Sequence, residues 1–146
     1  MGEDKSVGKW ISVLHRLGQM NLDKELNAYN LSRGQFIFLL TLFKEDGISQ
    51  EQLAGYLCMD KGTTARAMKK LEAAGYIRRR TCPADKRMNK IFLNDKAYAI
   101  KPELENICMN WTGQLLKGFD PDEKEAVLKM LEQMSANAAE FLRKID

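Results

Sequence analysis

Polar caps mark four helix starts in this chain, and their positions restrict the fold before any residue is counted. Ser32 with Gln35, Ser49 with Gln52, Asp60 ahead of a small-residue run, and Asp120 with Pro121 and Glu123 each supply an oxygen for the unpaired amides of a first turn. Apolar residues recur at helical spacing behind every cap. Phe36, Leu39, Leu40 and Phe43 mark the inner face of a helix that stops before Gly47, and Leu53, Tyr56 and Leu57 that of the next. Thr64, Ala67, Met68 and Leu71 line a third, which ends at Gly75, a natural left-handed residue. Upstream, Val7, Trp10, Ile11, Leu14 and Leu17 predict a long first helix reaching about Tyr29. Downstream, Asn94 or Asp95 opens a helix in which Pro102 should impose a kink or break. Val127, Leu131, Met134, Ala138, Phe141 and Ile145 form the stripe of the last one.

Between Gly75 and Asn94 the period changes. Ile77 to Cys82 and Asn89 to Leu93 are strand-like runs on either side of a Pro-Ala-Asp segment, which reads as a β-hairpin with a longer loop. Two short helices joined through Cys58-Met59-Asp60 match a helix-turn-helix, and a hairpin directly after them makes a winged unit. The expected fold is therefore mostly α with a small β-hairpin wing: a winged helix-turn-helix over 31–94, flanked by long N- and C-terminal dimerisation helices in 1–30 and 95–146. Dimerisation is expected because two long apolar stripes at the ends of one short chain need a partner surface.

Charge is unevenly placed. Residues 61 to 90 hold ten Lys and Arg against Glu72 and Asp85, a local +8 within a chain whose net charge is +3, which leaves −5 for the remainder. A basic middle on an otherwise acidic chain is the electrostatic footprint of a nucleic-acid binder. On the fourth helix the inner stripe leaves Lys61, Gly62, Thr63, Ala65, Arg66, Lys69 and Lys70 outward. Were this helix to lie in a DNA groove, Gly62 would let the backbone approach a phosphate at the positive end of the helix, Thr63, Ala65 and Arg66 would be the base-edge readers, and Lys61, Lys69 and Lys70 would hold phosphates.

Other chemistries find little support. The three cysteines are widely spaced and His15 is the one imidazole, so neither a disulfide framework nor a structural metal site is expected, and no cofactor either. No apolar run approaches the ~20 residues of a membrane span, and the N-terminus lacks a secretory apolar segment, so a cytoplasmic protein without a membrane partner is expected. A nucleophile with a suitably spaced base, a phosphate-binding glycine loop and a paired-carboxylate constellation are all missing, which argues against an enzyme.

The stretch MDKGTTARAMKKLEAAGYIRRR followed by Asp85-Lys86-Arg87, set within this order of helices, resembles the MarR family of transcription regulators, and the resemblance runs from about Val7 to Ile145. It implies a homodimer on a pseudo-palindromic double-stranded DNA operator. The recognition helices would occupy successive major grooves, and the wings, carrying Asp85, Lys86 and Arg87, the flanking minor grooves. Within the wing, Asp85 is read as the residue that orients Arg87. The resemblance further implies a repressor released by a small aromatic or anionic effector, in a cleft to which Trp10, His15, Arg16, Phe36 and Trp111 are the candidates. Met88, Asn94 and Ala97 depart from residues frequent in the family and bear on the hairpin exit. Two alternatives remain open: a winged-helix module that docks an acidic protein, and a regulator of the same fold switched by oxidation of Cys82, the thiol nearest Arg78, Arg79 and Arg80. Cys58 is expected to pack within the helix-turn-helix and Cys108 within the fifth helix.

Overall fold

The computed structural model describes residues 5–81, 83–85 and 89–145. It contains α1 (Val7–Leu26), a short 3-10 turn (Asn27–Tyr29), α2 (Arg33–Lys44), α3 (Gln50–Tyr56), α4 (Lys61–Ala73), β1 (Ile77–Thr81), β2 (Asn89–Leu93), α5 (Asp95–Leu115) and α6 (Pro121–Ile145). The chain divides into two compact units after Cys108.

In the first unit the helix starts form as their caps predict. Ser32 and Ser49 each make a reciprocal capping box with the glutamine three residues on, and the Asp60 side chain accepts from the Thr63 amide. The core draws Leu26 from α1, Phe36, Phe38, Leu39 and Leu42 from α2, Leu53 from α3, and Ala67, Met68 and Leu71 from α4. Tyr76, Ile77, Ile91 and Leu93 close it from the hairpin, and Ala97, Leu104 and Ile107 from α5. All four residues read as the inner stripe of α4 are buried: Thr64, Ala67, Met68 and Leu71. On α2 the buried face is rotated, with Phe38 and Leu42 taking the places expected for Leu40 and Phe43, which pack at its edge. On α3 Tyr56 is 58% exposed and Ala54 is buried instead, because the helix ends at Tyr56 itself and turns away. Pro102 does not break α5, which runs through it.

α3 and α4 end in the same turn built from different residues. After α3, the Met59 amide donates to the Ala54 carbonyl and the Cys58 amide to Gly55, with Cys58 at φ 51°. After α4, the Tyr76 amide donates to Leu71 and the Gly75 amide to Glu72, with Gly75 at φ 84°. Both are Schellman motifs, whose left-handed residue is normally glycine. Cys58 is exposed rather than packed, since the left-handed turn points its side chain away from the helix pair.

The hairpin is antiparallel, pairing Ile77 with Leu93 and Thr81 with Asn89. A third segment, not foreseen in the sequence, lies along its β2 edge: Gly47 donates to the Ile91 carbonyl, Ile91 to Ile48, and Ser49 bridges Lys90. Gly47 has φ 79°, and a Cβ there would stand 3.0 Å from the Phe92 ring. Asp46 fixes the base of the hairpin by accepting from the Leu93 amide at 2.9 Å and from the Tyr98 hydroxyl at 3.3 Å. The consecutive arginines of β1 are engaged with the chain itself. Arg78 donates to the Leu93 carbonyl and the Asn94 side chain, while Arg79 forms a two-pronged contact with Glu72 at 3.1 and 3.3 Å and reaches Gln50. The Arg79 contact holds the Glu72 carboxyl below its usual range.

In the second unit, Asp120 and Glu123 cap α6 reciprocally at 2.9 and 3.0 Å. Among the described side chains of α6 none is buried; Met130, Leu131 and Phe141 are exposed, Phe141 at 64%.

Exchanging residues at the two left-handed positions should have opposite effects. Cys58→Gly relieves ~1–2 kcal/mol of left-handed strain and returns part of it as unfolded-chain entropy of ~0.4–1 kcal/mol, so the urea midpoint should rise by an amount equivalent to at most ~1 kcal/mol at constant slope. Gly75→Ala should lower it by ~1–2 kcal/mol. For the wing root, Arg79→Ala should lower stability by about 1 kcal/mol or less, because both partners are partly exposed. That difference from the parent is expected at neutral pH and should fade as pH falls through the lowered Glu72 value, since a carboxyl depressed on folding stabilises above its unfolded pKa. Urea melts of both proteins from pH 7 down to pH 3 check it.

Candidate nucleic-acid interface

Burial of Thr64, Ala67, Met68 and Leu71 fixes which side of α4 faces out. Lys61, Gly62, Arg66, Lys69 and Lys70 are exposed, and Thr63 and Ala65 are half-buried beside them. The helix thus presents small residues in its first turns and cations along its length, with its N-terminal amides at the solvent side. Lys61 lies 4.0 Å from Glu51 of α3. A shallow groove beside it is lined by Ser49, Gln50, Glu51, Ala54, Lys61, Thr64 and Asn89.

Arg66 does not extend straight outward. Its guanidinium donates to the Thr63 hydroxyl at 3.2 Å, and that hydroxyl donates to Asp60 at 2.6 Å. The Asp60 carboxyl is held below its usual range, first by the Thr63 hydroxyl, then by the Thr63 amide, with the Arg66 charge adding to both. Asp60 was legible in the sequence only as a cap. The spacing Asp60-x-x-Thr63-x-x-Arg66, three residues twice over on one helix face, is the signal that joins it to the reading surface.

On the hairpin, Arg80 is exposed and lies over the Phe92 ring at 5.6 Å. Asp85 is exposed. Lys86 and Arg87 lie outside the described residues, as do Met88 and Cys82. Cys108, half-buried, has its thiol pushed up in pKa by burial and then by Glu105, which keeps it in the protonated, less reactive form. Among the effector candidates, Trp10, His15 and Arg16 are exposed on α1, with Arg16 donating to Ser12 at 2.6 Å. Phe36 belongs to the core of the first unit, and Trp111 is half-buried in the second. Among the described residues no group of His, Cys, Asp and Glu could hold a metal ion, and no helix is long and apolar enough to cross a membrane.

This geometry has close counterparts. The MarR family profile matches residues 31–88. The uncharacterised HTH-type transcriptional regulator YybA of Bacillus subtilis is 34% identical over 113 residues, covering 77% of this chain and 75% of that protein. A MarR transcriptional regulator from Methanosarcina mazei superposes with a TM-score of 0.89 at 39% identity, over 92% of this chain and 97% of the other. A MarR family regulator from Listeria monocytogenes, solved with a 26mer DNA, superposes with a TM-score of 0.88 at 29% identity, over 93% of this chain and 91% of the other. With its cations on the outer side of a recognition helix, a hairpin wing behind it, and these relatives, the chain belongs to the MarR family of DNA-binding transcriptional regulators.

Proposed function

We propose that the protein acts as a homodimer on a pseudo-palindromic double-stranded DNA operator, repressing transcription until a small aromatic or anionic effector releases it. The observation that carries the DNA reading is the sidedness of α4, apolar and buried within, cationic without. In this reading Thr63, Ala65 and Arg66 meet base edges in the major groove, and Lys61, Lys69, Lys70 and the Gly62 backbone hold phosphates. Asp85, Lys86 and Arg87 serve the flanking minor groove, whose narrow stretches attract arginine. The DNA complex of the Listeria relative supports this assignment by analogy. Homodimerisation is supported by the apolar side chains that α1 and α6 leave in solvent, among them Trp10, Ile11, Leu14 and Leu17 on α1 and Leu131 and Phe141 on α6. The dimerisation region would comprise 1–30 and 95–146, and the DNA-binding region 31–94. For effector release the candidates are Trp10, His15, Arg16, Phe36 and Trp111, and the test is displacement of the selected operator by aromatic carboxylates.

Selection from random duplexes with the purified protein should recover one palindrome, whose half-site spacing near one helical turn would match twofold-related reading heads. On that site Arg66→Ala should relax the preference at one position of each half-site by ~1–3 kcal/mol. Lys69→Ala should instead weaken all sequences alike and flatten the salt dependence. Equal, sequence-blind losses for both would remove Arg66 from the reading set. Leu131→Asp or Phe141→Asp should dissociate the dimer in sedimentation velocity and abolish operator binding, because an isolated carboxylate in an apolar seam costs several kcal/mol. A variant that sediments as the parent does would place the seam elsewhere.

A further inference from the structure

The start of α4 carries more hydrogen bonding than a cap requires. One oxygen of Asp60 accepts the Thr63 amide at 2.7 Å, which is the whole of the capping function. The other accepts the Thr63 hydroxyl at 2.6 Å. A threonine hydroxyl has a single proton, and here it goes to the carboxylate, so Oγ1 presents only lone pairs to its other neighbours. Arg66 Nη2 donates into them at 3.2 Å. The other amino group of the guanidinium lies against Gly62, where a Cβ would stand 3.3 Å from Arg66 Nη1 and 3.3 Å from Asp60 Oδ1. Glycine thus keeps open a space that the guanidinium and the carboxylate both border. The neighbouring cation, Lys61, is directed to Glu51.

We propose that Asp60 is a positioning residue for Arg66. Acting through Thr63, it fixes the hydroxyl as an acceptor and holds the guanidinium along the Gly62 side of the helix, so the base preference of Arg66 depends on a carboxylate that need not touch DNA. The proposal rests on the reading of Arg66 as a base reader given above. Beyond the cap, the links from Asp60 to the half-buried Thr63 hydroxyl and on to the exposed Arg66 contribute little to folding. Its effect is preorganisation: a side chain restrained before binding gives up less rotamer freedom when it meets a base.

The experiment uses the full chain and two readouts, guanidinium rotation of Arg66 by ¹⁵N NMR in the free protein and base preference from duplex selection. Asp60→Asn keeps a capping side chain as good as the parent's, but an amide has one oxygen, so it cannot accept from both the Thr63 amide and the hydroxyl on separate oxygens. Thr63→Val leaves Asp60 on the amide and removes the hydroxyl. Both variants should speed guanidinium rotation and reduce the preference at the Arg66 position by roughly tenfold, and Arg66→Ala combined with either should have no weaker preference than Arg66→Ala alone. Thr63→Ser, which keeps the hydroxyl, should restore slow rotation. Rotation unchanged in both Asp60→Asn and Thr63→Val would overturn the proposal, as would a parental preference in both when Arg66→Ala abolishes it. If Arg66→Ala leaves the preference intact, the base-reading assignment is what fails, and rotation alone decides whether Asp60 positions the side chain. Should Asp60→Asn unfold, guanidinium rotation in Thr63→Val carries the decision, because Thr63 is itself read as a base contact.

Discussion

The structure depends most on the junction where α4 ends and the hairpin begins. Gly75 takes the left-handed turn that only a glycine adopts without strain, and Tyr76 is thereby driven into the core. Its hydroxyl donates to the Tyr29 carbonyl at 2.6 Å, beyond the end of α1, while its own carbonyl accepts from the Asn94 amide at 2.9 Å. Burial raises the Tyr76 pKa, so the phenol remains a donor throughout the ordinary pH range. Asn94 also donates from its side chain to the Gly75 carbonyl at 3.1 Å, and Lys96 donates to Ala74. The carbonyls just past the recognition helix are thus tied to the start of α5, and the Tyr76 side chain that follows them to the turn after α1. A recognition helix held at its far end in this way cannot tilt without breaking these part-buried hydrogen bonds, and this keeps its outward face in a fixed register with the wing.

That junction also sorts the charges. The sequence counts Arg78, Arg79 and Arg80 as three equal contributors to a basic patch, but alternation along β1 sets Arg79 apart from Arg78 and Arg80, which both lie over the Phe92 ring. Arg78 folds onto the Leu93 carbonyl and Asn94, Arg79 turns back to Glu72 on α4, and Arg80 lies further out along Phe92. A guanidinium already paired with a carboxylate offers a phosphate less than its formal charge, because the pair must first be broken or shared. The local excess of cations is a reliable sign of the partner's class and a poor guide to which cations meet it.

Much of the first unit was legible because its signals are local. Capping boxes at Ser32 and Ser49, the cap at Asp60, the stripe of α4 and the stop at Gly75 depend on residues within one turn of each other, and the structure reproduces them. What was not legible depends on partners distant in sequence. The inner face of α2 rotates toward Phe38 and Leu42 because its neighbours come from α4, α1 and β2. The segment Gly47–Ser49 joins the sheet only because β2, some forty residues on, places Ile91 and Lys90 beside it. Pro102 was expected to interrupt α5, yet one missing amide is tolerated in a helix anchored by Ala97, Leu104 and Ile107 on either side. The proposed roles of α4 residues as readers or holders rest on exposure, chemistry and the resemblance together, and those of Lys86 and Arg87, outside the described residues, on the resemblance alone.

Asp60 shows how a single cap serves two faces of one helix. Two adjacent threonines follow it at the same turn, and each binds it through a different group. Thr64, fully buried, donates its hydroxyl to the Asp60 carbonyl at 2.9 Å, which satisfies a polar group within the core that would otherwise cost ~1–3 kcal/mol. Thr63, at the surface, donates to the Asp60 carboxylate. The main chain of Asp60 is therefore fixed by the core and its side chain by the surface. Any shift of the α4 start relative to the core would have to move the Thr63 hydroxyl and the guanidinium that leans on it. The short stretch from Asp60 to Arg66 is at once the helix's start, its anchor to the interior and the frame for its outward cation, which is why small residues at Gly62, Thr63 and Thr64 stand where a longer side chain would separate those roles.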